Sequence, residues 1–383
     1  MRCSMKKLIL LICALSALFV CTGCSSIFAS YREIEQLQLV QTIGLDIHPD
    51  GGTTLTAAAG QSSGETDLIM SADGSGITDA MRRLQSFSTR EDIFYAHTKY
   101  ALLGENTAVS GIGGILDFVQ RAGQIRTDIG LLVLRDCTAE ELITRSSSAN
   151  GNITDALSTL DRSTVREGTG HIFSCQEITR SLAEQNSALI CAVTAEETEG
   201  IIFSDSGELA AVSLGYGILK DDRLCGYITG ETARGINLLL GTGGCGDLDI
   251  ELPRRISLNI RKTKCHIRPV WQNEQLLAVE VSCDLDCAVA ELDRSGAVLS
   301  LEEYVAAERA VQDKVAGWLK DILELQRLYD TDFLGLFRKI RAASPFRFAK
   351  IEGDWPQPLR NVEYRVQVTA AIERDYDLRS PDK

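Results

Sequence analysis

The chain has 383 residues, 44% of them hydrophobic, 24% charged and 6% aromatic, which is the balance of globular material and not of a disordered chain. With 39 basic against 53 acidic residues its formal net charge is −14, which opposes binding to phosphate backbones and anionic lipid surfaces, so no nucleic-acid partner is expected.

Residues 1–23 read as an export leader. Arg2, Lys6 and Lys7 form a basic start, and an apolar run follows from Leu8 to Val20, broken only by Ser16. The run is shorter than the roughly 20 residues a membrane-spanning helix needs, and it suits a signal h-region. Met5 opens its own Met-Lys-Lys, a second plausible start. Cys21-Thr22-Gly23-Cys24 then places two small residues before a cysteine, the pattern of a bacterial lipobox. A thiol at the first mature position accepts a thioether-linked diacylglycerol, so Cys24 is the expected lipid attachment. An ordinary cleaved signal or an uncleaved anchor are the competing readings. Each acyl chain contributes about 0.8 kcal/mol per buried CH₂, and two chains suffice for stable anchoring. Without the leader's basic residues, 36 basic residues face 53 acidic ones, a net charge of −17.

Residues 25–35 form a short tether. Leu37 to Leu45 is apolar-rich, turn residues follow at Pro49-Asp50-Gly51-Gly52, and Thr53 to Ala59 has strand character, so a hairpin is expected. A Gly/Ser/Asp-rich loop is expected over 60–76. Ile77, Ala80, Met81, Leu84 and Phe87 mark one face of a helix. Residues 93–103 read as a strand, 106–121 as a second amphipathic helix, and Ile129 to Leu134 as a buried strand. Thr138-Ala139-Glu140-Glu141 opens another helix with a capping-box pattern. Ser146 to Gly170, rich in Ser, Thr, Asn and Gly, reads as surface loops with a weak helix. A helix near 173–185 and a strand at 188–194 follow, and the polar stretch Ala195–Asp205 marks a boundary.

The second half carries period-two alternation: Ile256, Leu258 and Ile260; then Leu277, Val279, Val281, Cys283, Leu285, Cys287 and Val289; then Val362, Tyr364, Val366, Val368, Ala370 and Ile372. Such runs predict half-buried antiparallel strands. Val311, Val315, Trp318, Ile322, Leu325 and Tyr329 step by four and three, predicting a long helix across one sheet face, hence an α+β layer structure. The expected regions are therefore 24–200 and 206–376, with a tail at 377–383.

Beyond the leader and Cys24, eight cysteines remain: 137, 175, 191, 225, 245, 265, 283 and 287. Buried free thiols used as small core residues are the preferred reading, ahead of one or more disulfides and well ahead of a metal site. In Cys283-Asp284-Leu285-Asp286-Cys287, strand geometry sends the thiols to one face and the carboxylates to the other, so they do not converge as zinc ligands. His48, His97, His171 and His266 show no metal-ligand spacing, and His97 falls in an alternating strand between Tyr95 and Lys99. Gly241-Thr242-Gly243-Gly244-Cys245-Gly246 lacks the Lys-Ser/Thr of a phosphate loop and reads as a turn. No Gly-x-Ser-x-Gly elbow exists. Glu231 and Arg234 read as the surface of a hairpin, with a partner contact as the functional alternative. No catalytic residue, metal or cofactor is expected.

Several segments in order resemble the Ger(x)C family of spore germination lipoproteins. These are Arg32-Glu33-Ile34-Glu35-Gln36-Leu37 with Ile43-Gly44-Leu45-Asp46; Phe94-Tyr95-Ala96-His97-Thr98-Lys99 with Gly104-Glu105; and Gly217 to Tyr227 with Glu231-Thr232-Ala233-Arg234-Gly235. Gln326 to Gly335, followed by Trp355, resembles the C-terminal signature. The chain departs from the family pattern in its insertion Ser25 to Tyr31 and in its ending Arg374-Asp375-Tyr376-Asp377. The resemblance implies several mixed α/β subdomains, each an antiparallel-rich sheet flanked by helices. It also implies a non-enzymatic, lipid-anchored subunit of a germinant receptor on the outer face of the inner spore membrane. Its implied partners are a polytopic A-type subunit and an integral B-type subunit. A solute-binding lipoprotein of a transporter is the alternative, although the chain lacks the regular βαβ alternation of that class.

Overall fold

A computed structural model describes residues 37–60, 67–88, 92–150, 152–197, 209–242, 246–293 and 299–373. The leader, Cys24, the tether 25–35 and the tail 377–383 lie outside the described residues. Within them the chain forms two sheets with helices, an α+β fold.

The first sheet has nine strands. Leu37–Ile47 (β1) and Thr53–Ala59 (β2) make the expected hairpin. Leu68–Gly74 (β3) extends it where the composition predicted only loop. Polar residues are satisfied there: the Thr54 hydroxyl donates to Asp73 Oδ1 across the strands at 2.6 Å, and Ser71 donates to Glu140 Oε1 of the helix above at 2.7 Å. Ile77–Phe87 (α1) packs Ala80, Met81 and Leu84 inward, but Phe87 stays 76% exposed. The strand expected at 93–103 is broken into Asp92–Phe94 (β4) and Tyr100–Leu103 (β5) by a turn, which puts His97 exposed in that turn and not within a strand. The helix expected at 106–121 is likewise two, Glu105–Ser110 (α2) and Gly113–Ala122 (α3). They part at Gly111, whose φ of 123° only glycine tolerates well.

Gly130–Arg135 (β6) and Ser187–Glu197 (β7) complete a parallel run β1-β5-β6-β7, and Leu209–Lys220 (β8) and Arg223–Thr229 (β9) close the sheet antiparallel. The parallel strands are apolar on both faces because both are covered. Ala139–Asn150 (α4) and Ile153–Glu167 (α5) bury Leu142, Ile143, Ile153 and Leu157 on one face. On the other, α1, α3 and Cys175–Gln185 (α6) bury Met81, Leu116 and Ile178. Helix α5 is the weak helix expected within Ser146 to Gly170, longer than the loops expected around it. Its threonines serve the core: Thr154 is buried and shares a hydrogen bond with the Thr42 hydroxyl at 2.7 Å.

The second sheet orders Asp247–Glu251 (β10), Arg255–Gln272 (β11), Gln275–Leu292 (β12) and Glu363–Glu373 (β13). Leu301–Leu328 (α8) opens with a reciprocal cap between Ser300 and Glu303 and lays Val311, Val315, Trp318 and Ile322 on the sheet. Because α8 carries the chain back along the sheet, β13 runs parallel to β12, against the antiparallel expectation for residues 362–372. The alternation had encoded which face is buried, and that is blind to strand direction.

Candidate functional site: the junction between the sheets

Two of the segments that carry the family resemblance, Gly217 to Gly235 and Gln326 to Gly335, meet in space, with Trp355 beside them. Tyr329, just past α8, lies directly over Gly226 of β9, where any Cβ would collide with the Tyr329 hydroxyl. A Cβ on Gly235 of Glu231–Leu240 (α7) would lie 2.6 Å from Ile322 Cδ1 and 3.3 Å from Trp318 Cβ of α8. Lys220, at the end of β8, donates to the Tyr329 carbonyl at 3.1 Å and pairs with Asp330 at 3.4 Å. Arg360 clamps the same carboxylate with two donors at 2.5 and 2.6 Å, and that clamp holds Asp330 below its ordinary range.

Asp332 is the centre of this junction. It is 0% exposed, and its backbone N–H donates to Ser187 Oγ of β7 at 3.1 Å. Its carboxylate accepts the N–H groups of Leu336 at 2.8 Å and Phe337 at 2.7 Å, the first turn of Leu336–Ala343 (α9), and the Trp355 indole at 2.9 Å. Burial pushes the carboxyl up to about 7, while the three donors pull the other way. Gln326 accepts the Leu334 N–H at 3.3 Å and ties the loop back to α8. Both carboxylate oxygens of Asp332 are occupied. The arrangement is suited to fixing one sheet against the other.

A second buried carboxylate, Asp46, ends the Ile43-Gly44-Leu45-Asp46 segment. It accepts the N–H groups of Ala139 and Glu140, each at 3.0 Å, at the start of α4, and burial raises its pKa. Gly44 lets α4 in, since a Cβ there would lie 2.8 Å from Ala139 and Ile143 side-chain atoms. Nearby, Glu105 accepts the Tyr227 hydroxyl at 2.9 Å, linking α2 to β9.

The remaining sequence-derived candidates are scattered. Cys24 lies outside the described residues. Glu231 and Arg234 sit on helix α7 and not on a hairpin. Glu231 pairs with Lys314 of α8 at 2.8 Å, and Arg234 donates to the Asp247 carbonyl at 2.6 Å. His48 shares a hydrogen bond with Thr54 at 2.7 Å, and His266 is exposed on β11. Gly241 ends α7 in a left-handed turn, while residues 243–245 of that glycine-rich stretch are outside the described residues.

The preference for free thiols is corrected at one pair. Cys265 and Cys283, opposite one another on β11 and β12, form a disulfide with their Cα atoms 4.2 Å apart. Cys175, Cys191 and Cys287 are buried free thiols, Cys137 is partly exposed and Cys225 exposed. The signal missed was symmetry, since the two bridged cysteines lie almost equidistant from the turn between β11 and β12.

Comparisons with known proteins cover both halves of the chain. A family described as "Spore germination protein N-terminal domain" matches residues 30–195. A second, "Spore germination B3/ GerAC like, C-terminal", matches residues 214–376. The chain belongs to the Ger(x)C family of spore germination proteins. Among curated relatives it is 26% identical over 152 residues to "Spore germination protein KC" of Bacillus subtilis (strain 168). That match covers 36% of this chain and spans only 36% of the relative's length. The crystal structure of the GerBC protein superposes with a TM-score of 0.55 at 20% identity, covering 89% of this chain and 99% of that one, so the two share a Ger(x)C fold.

Proposed function

We propose that the chain is the lipid-anchored, non-enzymatic C-type subunit of a spore germinant receptor, held through Cys24 on the outer face of the inner spore membrane. Membership of the Ger(x)C family is the observation that carries this reading. The lipobox before Cys24 supports the anchor, and no helix among the described residues is long and apolar enough to cross a membrane. The partners in this reading are the polytopic A-type and integral B-type subunits, with the lipid raising the effective concentration of this chain beside them. Regions 24–200 and 206–376 serve as its two parts, bridged by the pairing of β7 with β8 and by the Asp332 junction.

The test is nutrient-triggered germination of spores lacking the gene, followed by absorbance loss and dipicolinate release, with a Cys24→Ala allele beside it. Loss of the response to one nutrient class, with non-nutrient triggers intact, is expected, and the Cys24→Ala spores should share the defect. Normal germination with every nutrient in a strain without paralogous receptors would move the solute-binding reading to the front.

A further inference from the structure

The solvent face of the second sheet is built in stripes of alternating charge. On β12, Glu280, Asp284 and Asp286 stand exposed; on β11, Lys262, Lys264, His266 and Arg268 stand opposite them in register. On the far side of β11 comes β10, where Asp247, Asp249 and Glu251 point outward and Leu248 and Ile250 point into the core. Asp249 bonds Arg255 and Ser257, and Asp247 bonds Asn259, so β10 is an acidic–apolar strand laid on the edge of β11.

That strand ends early. β10 pairs with β11 only from Arg255 to Asn259, and among the described residues no strand pairs with this edge from Arg261 to Gln272. Along it Lys262, Lys264, His266 and Arg268 point to solvent, and no hydrogen bond or ion pair engages them among the described residues, whereas Arg261 at its start pairs with Glu373. Thr263, Cys265 and Ile267 on the other face are only half-buried. A free edge offers unpaired backbone groups, Pro269 being the one residue of this stretch with no N–H to give, and opposite charges on neighbouring strands stabilise a ladder while like charges oppose it.

We infer that the β11 edge from Arg261 to Gln272 receives an extended acidic–apolar segment of a partner protein, added in line with β10. Backbone pairing supplies the affinity. Lys262, Lys264 and Arg268 select acidic side chains on the outer face, and the shelf beside Cys265 and Ile267 takes the apolar ones. The inference stands on the sheet alone and does not depend on the receptor reading.

The probe is a fluorescein-labelled peptide carrying the Asp247–Glu251 sequence twice, titrated by anisotropy against the full chain in detergent. Saturable binding is expected, with hydrogen exchange slowed across 261–272. The variant Lys262→Glu/Lys264→Glu changes exposed side chains only, and circular dichroism checks its fold. It should bind about tenfold more weakly and recover with a peptide whose acids are replaced by lysine. No binding by the unaltered chain, or equal binding by the charge-reversed variant, overturns the inference and leaves the basic stripe as a guard against edge-to-edge pairing. Flotation of the Cys24→Ala chain with phosphatidylglycerol but not phosphatidylcholine vesicles, in the absence of peptide binding, also overturns it, reassigning the stripe to anionic lipid headgroups.

Discussion

Asp46 and Asp332 perform the same local task in two regions of the molecule, and their surroundings differ in a way that separates their roles. Each is a buried carboxylate that accepts two backbone N–H groups from the first turn of a helix. Asp46 ends β1 and caps α4, which packs on the sheet that β1 belongs to. Asp332 caps α9 while its own N–H reaches Ser187 on β7 and its oxygen takes the Trp355 indole, so it joins three parts of the chain remote in sequence. Removing the first should loosen a helix; removing the second should loosen the relation between the sheets.

The largest expected effect follows directly. Asp332→Ala strands three buried donors and should cost about 3–5 kcal/mol, whereas Asp46→Ala strands two and should cost about 2–3 kcal/mol. Urea unfolding of both variants measures this, and equal losses would break the comparison. A pH effect comes next. The carboxyl of Asp332 titrates higher folded than unfolded, so the stability it contributes is complete below the ordinary carboxylate range and is lost as pH rises through about 7. Relative to an Asp332→Asn variant, the unaltered protein should lose about 2 kcal/mol between about pH 5 and pH 7. Parallel pH profiles for the two proteins would show that the three donors outweigh burial. The smallest effect sharpens the same point. Trp355→Phe removes one donor and should cost about 1 kcal/mol, with the titration of Asp332 shifted further upward, as read by carboxyl NMR.

Much of this was legible in advance. The alternation in β11, β12 and β13 and the four-three stepping of α8 place the second sheet and its helix correctly, because a half-buried element must write its period into the sequence. The weak helix expected within Ser146 to Gly170 is the 15-residue α5. Composition under-reads it, counting Thr154 and Thr164 as polar, although both are buried with their hydroxyls bonded, to Thr42 across the core and to the Asp161 carbonyl of the same helix. Strand β3 escaped because its polar side chains are bonded, Asp73 to Thr54 and Ser71 to Thr56 across the strands and Ser71 also to Glu140 of α4. The direction of β13 is not a local property at all. The junction was legible only as separate segments: Gly226, Gly235, Asp332 and Trp355 each belong to a segment that resembles the family, but their meeting depends on how α7 and α8 pack, which no single period encodes.

The return of α8 sets an order of events during folding. Helix α8, 28 residues long, spans about 42 Å, and β13 pairs with β12 only after that rod and the loops around it have been made. Until Glu363–Glu373 emerges, β12 presents an open edge along Ala278–Ala288, and the apolar face of α8 has only part of its cover. Such long-range pairing is slow and leaves an aggregation-prone edge meanwhile. The last strand among the described residues is therefore the one that seals the second sheet, and a chain cut short before it would carry that open edge permanently.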